Sequence, residues 1–410
     1  MQWTSLLTSL AVFGLSGCAV NEVVTAEETE LIIAEAPPDE AMLLDIGIIQ
    51  FADGIPSDND PVDTGIYEEI RSAESNYLAY HLKTTLQGTG HWGAVRVVPS
   101  RNAFTDVVID GTIEESDGEF ITLQISVSDA RGQNWYQKDY STQTGISSYS
   151  INRDRRSDPY QKVFNDIAND LREYVAQLPP DSVRQLQQVS ELKFFADMSP
   201  AAYGEHLTSD KNGVVSVVRL PAENDPSVAR LRQIRERDRL VVDTLNEHYA
   251  NFYYGIAIPY HSWRKTAREE AINYRQVKRA ATMQTLMGAV VLAGSLAVDT
   301  DSSSSSKRQM KRSLQNIGIS EGFNTIFKGF SRRSEATMHL ESIKELSESF
   351  GAEAAPMVVN IEGQTRRLTG TAAAQYESWR RLLKEIYEAE TGFVEPADVR
   401  APERVPEPTG

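Results

Sequence analysis

Cysteine is nearly missing: Cys18 is the single one in 410 residues. One thiol excludes an intrachain disulfide and a thiolate zinc site. The six histidines are scattered, and no two stand at the i, i+3 or i+4 spacing that puts two ligands on one helical face. No metal site, cofactor or catalytic set is therefore expected. Lysine and arginine are absent before Arg71, while residues 1 to 70 carry fourteen Asp or Glu. That segment holds most of the net charge of −17 and leaves the remaining chain close to neutral. An unbalanced acidic run is solvated and self-repelling, and nucleic acid is not an expected partner.

Leu6 to Leu15 is a short, mostly apolar run closed by Leu15-Ser16-Gly17-Cys18. It matches a signal-peptide core and is too short for a membrane span. A leucine, two small residues and a cysteine after such a run resemble the lipobox of bacterial lipoproteins. The resemblance implies cleavage before Cys18, lipidation of Cys18, and, with Ala19 rather than Asp behind it, residence at the outer membrane facing the periplasm. Residues 1–17 then read as signal peptide and 18–40 as an acidic tether, with Pro37-Pro38 breaking any helix. Two or more acyl chains anchor stably where one does not.

Residues 41–178 read as an α/β domain. Ala41 to Phe51 is nearly continuous in apolar residues, as expected of a buried strand. Ile66 to Leu86 has helical periodicity, Ala94 to Val98 is a strand, and Val107–Ile113, Phe120–Val127 and Trp135–Tyr140 form a meander. Asp117-Gly118 is the hairpin signal between its first two strands. Tyr160 to Leu178 is an amphipathic helix. This order of strand, helix, strand, meander and helix, with Asp106 to Ile113 leading into Asp117-Gly118-Glu119, resembles the TolB N-terminal domain and the periplasmic domain of curli-secretion lipoproteins. The resemblance covers about a third of the chain and implies a binding or assembly role, with no site residues to carry over.

Beyond Pro179-Pro180 the pattern is mainly helical. A helical region spans 181–298, a Ser-rich linker 299–306, a further helical region with a small hairpin 307–393, and a disordered tail 394–410. Asp225-Pro226 starts a helix expected to reach about Tyr254, with Pro259 separating it from a second helix through Val298. Tyr249, Phe252, Tyr253, Tyr254, Tyr260 and Trp263 form an aromatic cluster that is either the packed corner of two helices or a surface for sugar rings. Leu286 to Val298 is free of charge, with Ala289, Ala293 and Ala297 at i+4 spacing. A core helix, an oligomerisation helix and a membrane-inserting element remain open for it. Lys307 to Arg333 is basic and reads as a solvated face or a contact for anionic groups.

Two motifs look chemical. Gly88-Thr89-Gly90-His91-Trp92-Gly93 fits G-x-G-x-x-G, but it follows a helix and precedes a strand, the reverse of a dinucleotide fingerprint. Gly318-Ile319-Ser320-Glu321-Gly322 fits G-x-S-x-G, but no strand precedes it and only His339 lies downstream. The expected class is α+β: an N-terminal α/β sandwich-like domain followed by a mainly helical one. The expected function is that of a non-enzymatic, lipid-anchored, periplasm-facing assembly component of a Gram-negative envelope complex. Its partners would be the outer membrane, envelope proteins and further copies of itself. A regulator of cell-wall synthesis and a subunit of an oligomeric secretion pore are the alternatives.

Overall fold

The computed structural model describes residues 28–59, 65–150, 158–222, 224–296, 334–352, 356–361 and 364–391. The chain is α+β, with a five-stranded sheet followed by a mainly helical region. Strand β1 (Ile46–Ile49) sits between two parallel neighbours, β2 (Val95–Val98) and β3 (Val107–Ser116). Strands β4 (Phe120–Asp129) and β5 (Asn134–Gln143) continue antiparallel to give the order β2-β1-β3-β4-β5. β1 is an internal strand, and its apolar run is used on both faces: Ile46 and Ile48 are fully buried in the core on one, and Ile49, on the other, packs against a second core.

Helix α1 (Glu68–Thr89) ends on Gly90 in the left-handed conformation. Helix α2 (Gln161–Ala176) presents Val163, Phe164, Ile167 and Leu171 to the sheet, all fully buried. Together α1 and α2 cover the face that carries Ile121, Leu123, Ile125 and Val127 of β4. Gly88 therefore lies in the last turn of α1, and Gly90 and Gly93 between its end and β2, in the orientation that excludes phosphate binding at a helix start.

Pro180 is the first residue of α3 (Pro180–Met198), followed by the short α4 (Pro200–Tyr203) and the pair β6 (Leu207–Ser209) and β7 (Val215–Val217). Helix α5 runs from Pro226 to Leu296, 71 residues. The expected break at Pro259 is absent. A mid-helix proline removes one N–H bond and crowds the preceding turn, at a cost of about 3 kcal/mol. The carbonyl deprived of its donor belongs to Gly255, which is exposed to water. On either side Ile256, Tyr260 and Trp263 are buried, which offsets that cost. Helix α6 (Ser334–Ala352), the hairpin β8 (Met357–Ile361) and β9 (Gln364–Leu368), and α7 (Ala372–Thr391) complete the described chain.

The helical region does not stand apart from the sheet. One core joins the sheet, α1 and α2 to Phe252, Ile256, Tyr260 and Trp263 of α5 and Ile343 of α6. A second joins Val97 and Val98 of β2 to α3, to the first half of α5 and to α7. The free edge of β2 is closed by a side chain: Asn246 Oδ1 accepts from Val97 N at 2.9 Å, and Asn246 Nδ2 donates to Val97 O at 2.9 Å. An amide standing in for a strand satisfies an edge that would otherwise pair with another chain.

Candidate functional site

Among the described residues a cluster of buried charge lies inside the protein, where α5 crosses the sheet. Arg264 occupies a position on the buried stripe of α5, one turn after Tyr260, and is 1% exposed. Its two terminal nitrogens donate to the two oxygens of Asp158, each at 2.8 Å. The guanidinium lies over Tyr260, 4.2 Å from the ring centroid, and close to Tyr160 and Tyr77. Burial alone would raise the Asp158 carboxyl; the paired Arg264 overrides it and holds the group well below the usual carboxylate range. Burial likewise pushes the hydroxyls of Tyr77, Tyr160 and Tyr260 far up, so they act as donors at every physiological pH.

Glu74 of α1 lies beside this pair with no exposed surface. One of its oxygens accepts from Ser116 Oγ at 2.6 Å and Tyr260 Oη at 2.7 Å; the other faces Arg71 Nε at 3.3 Å. Burial outweighs these partners and raises its pKa. The tip of the β3–β4 hairpin meets α5 here. Asp117 Oδ1 accepts from the backbone of Glu119 and Phe120, the local turn that the Asp117-Gly118 pair predicts. Gly118 has φ +86°, and a Cβ there would sit 2.2 Å from the Arg264 carbonyl oxygen. Farther along α5, Arg268 donates to Thr144 Oγ1 at 3.1 Å, and Arg275 pairs with Asp117 at 2.7 Å and with Glu119.

A second polar set lines an open cleft of about 520 Å³ at the N-terminal ends of β1, β2 and β3. Asp45 accepts from Ala94 N at 2.9 Å and Arg239 at 3.0 Å; Asp106 accepts from Asp45 N and from Ser190 Oγ. Arg235 bonds only neutral groups, the Phe104 carbonyl at 3.2 Å and Ser190 Oγ at 2.9 Å, and among the described residues no carboxylate lies within ion-pair distance of it. Burial raises Asp106 and lowers Arg235. Asp45, Asp106, Arg235 and Arg239 thus find their partners in one another, the backbone and the side chains of Ser190 and Glu236, and the cleft is a polar seam between α5, α3 and the sheet edge. A third seam joins α5 to α7: Asp238 accepts from Tyr376 and Trp379 at 3.2 Å each and lies 3.4 Å from Arg380.

Cys18, the expected lipidation site, lies outside the described residues, as do the Ser-rich linker, the whole basic stretch, the Gly318–Gly322 motif and the C-terminal tail. The backbone of the charge-free stretch is helical as far as Leu296. Among the described residues no helix is long and apolar enough to cross a membrane. The aromatic cluster is packed core, although not at a corner of two helices, since it lies along the continuous α5: Tyr249, Phe252, Tyr260 and Trp263 are all under 9% exposed, and Tyr254 points out. His81 is buried between Tyr253 Oη at 2.7 Å and Gln161 Oε1 at 2.9 Å, and burial lowers its pKa, which keeps it neutral. No group of ligating side chains able to hold a metal occurs among the described residues. Sequence reasoning missed Arg264, Asp158 and Glu74; the available signal was a cation set within the apolar stripe Ile256, Tyr260, Trp263.

No family model matches this chain, and no curated protein matches it. Among solved structures, a dodecamer of a PelC point variant from Paraburkholderia phytofirmans is similar at 22% identity, over 40% of this chain and 98% of that one, with a TM-score of 0.19. A score that low carries no conclusion about this chain.

Proposed function

We propose that the protein is a lipid-anchored, periplasm-facing assembly component of a Gram-negative envelope complex that acts by protein–protein contact. The observation that carries this reading is the way α5 is held. At 1.5 Å per residue its 71 residues measure about 105 Å, several times the width of a small domain. The buried Arg264–Asp158 pair and the Arg275 contacts fix its direction where it leaves the hairpin tip. Beyond Arg275 the backbone runs helical for another 21 residues, about 30 Å, into the charge-free stretch. A rigid arm ending in uncharged sequence, on a body tied to a membrane, suits a scaffold that must present a contact at a set place.

The anchor is tested by metabolic labelling with an alkyne fatty acid in a Gram-negative host. Label that enters the wild type and is absent from Cys18→Ala supports it; equal label in both sinks it. Hydrodynamic mass in detergent then separates the assemblies. A discrete multimer of many copies points to a pore subunit, whereas a monomer captured with a cell-wall synthase points to a regulator. Substituting Ala289→Leu with Ala293→Leu should break a multimer packed through the arm, and an unchanged mass would remove the arm from the interface.

A further inference from the structure

Residues 29 to 34, part of the acidic segment expected to be a free tether, are docked. Asn165 and Asn169 stand one turn apart on α2 and hold the backbone of this segment. Asn165 Nδ2 donates to Thr29 O at 2.7 Å, Asn169 Nδ2 donates to Glu30 O at 2.9 Å, and Ile32 N donates to Asn169 Oδ1 at 3.0 Å. Ala34 N donates to Thr89 O at the end of α1, 2.8 Å away. Leu31 packs against the main core, while Ile32 and Ile33 face outward at 42% and 60% exposure. The bonds go to main-chain atoms, so they clamp an extended chain without demanding particular side chains.

Asn165 is itself oriented from inside. Its Oδ1 accepts from Gln161 Nε2 at 2.9 Å, and Gln161 Oε1 meets His81, whose other ring nitrogen meets Tyr253 of α5. With the proton on His81 Nε2, every donor in this series faces an acceptor, from the Tyr253 hydroxyl through His81, Gln161 and Asn165 to the Thr29 carbonyl. Asn165 is buried and cannot turn away without breaking the series.

We propose that residues 29–34 are a strap whose docking on Asn165 and Asn169 sets how far the folded body stands from the membrane. The inference rests on the anchor reading of Cys18. Ten residues separate Cys18 from Thr29, and a fully extended chain covers about 3.3–3.6 Å per residue, which limits the docked reach to about 35–40 Å. The next fixed point along the chain is Ala41 to Leu43, whose carbonyls accept from Gln187 Nε2 at 3.3 and 2.9 Å. Release of the strap moves the first attachment there and extends the reach to about 75–85 Å. The strap is thus a tether of two lengths, and the Asn165 and Asn169 face of α2 is the side of the body nearest the lipid in the short state.

The test uses the full lipidated chain in bilayer nanodiscs, with a single thiol label introduced at Gln177→Cys and an acceptor dye in the lipid. Hydrogen exchange of the Ile32 and Ala34 amides is measured on the same protein. The expected result is protection of both amides in the wild type, and exchange at Ile32 at least about tenfold faster in Asn165→Ala with Asn169→Ala. In that variant energy transfer to the bilayer falls as the body moves out. Asn169→Ala alone, at a half-exposed position, gives the same direction should the double variant melt. Free exchange at Ile32 in the wild type overturns the docked strap. Faster exchange with unchanged energy transfer overturns its control of reach. A Cys18→Ala chain keeps the exchange readout without the anchor, so protected amides together with undiminished membrane binding would dismiss the anchor reading while leaving the strap in place.

Discussion

Arg264 and Asp158 lie 106 residues apart in sequence and meet through two parallel hydrogen bonds of 2.8 Å in a site closed to water. Removing either partner strands a buried charge, which costs about 3–5 kcal/mol. Arg264→Met should therefore lower the urea midpoint strongly. Replacing both residues, Arg264→Met with Asp158→Leu, should cost less than the sum of the singles. A double-mutant cycle by chemical denaturation measures the coupling, and additive losses would show that the pair does not act as a unit.

What the residues reveal on their own depends on how far their partners lie. The apolar run at Ile46–Ile49, the turn at Asp117-Gly118, the start of α5 at Asp225-Pro226 and the hairpin around residues 357–368 all follow from local chemistry, and the structure has them where the pattern puts them. The continuity of α5 through Pro259 does not follow, because the local penalty is offset by burial against elements more than a hundred residues away. Arg264 reads locally as a solvated cation; only the fold brings Asp158 to it. The strap at residues 29–34 has no periodicity, since what holds it is backbone bonding to Asn165 and Asn169.

Gly118 and Gly213 share a left-handed backbone, at φ +86° and +82°, but differ in surroundings. A methyl group at Gly213 would meet nothing within 4 Å, whereas at Gly118 it would meet the Arg264 carbonyl at 2.2 Å. Gly213→Ala should cost only the backbone strain, about 1 kcal/mol, while Gly118→Ala adds overpacking and should reach about 2–5 kcal/mol. Thermal melts of the two variants check this. Equal losses would mean that α5 is not seated on the hairpin tip.

Glu74 supplies a pH dependence of definite sign. Burial raises its folded pKa above the ordinary 4.5, so the folded protein holds a proton that the unfolded chain releases. The stability from that proton is full below about pH 4.5 and is lost as pH rises through the raised value. Glu74→Gln is neutral throughout and keeps an oxygen for Ser116 and Tyr260. Its stability relative to the wild type should improve as the pH of a urea titration rises from 4 to 7. A flat difference would mean that Glu74 titrates alike in both states.

Asn246 offers a graded test of edge closure at β2. Asn246→Asp keeps the acceptor for Val97 N and loses the donor to Val97 O, while Asn246→Leu loses both. Each buried backbone group left unpaired costs about 1–3 kcal/mol. The losses should rank Leu above Asp, and the Leu variant should also associate with itself, because an uncovered strand edge pairs with another. Denaturation midpoints give the first order, and light scattering at increasing concentration gives the second. A Leu variant that stays monomeric with wild-type stability would show that the helix backbone alone covers β2.

Pro259 is the residue where replacement should strengthen the protein. The helix already runs through it, so the backbone has the conformation alanine prefers, and Pro259→Ala restores one N–H donor to the Gly255 carbonyl. A mid-helix proline is about 3 kcal/mol worse than alanine, but part of that is offset because alanine also frees the unfolded chain. The net gain should be about 1–2 kcal/mol, read as a higher denaturation midpoint. If α5 bends at Pro259 to seat Arg264 on Asp158, straightening it would instead weaken that pair, and the variant would lose stability together with its coupling to Asp158. The sign of the Pro259→Ala change therefore separates a tolerated proline from one the arm needs.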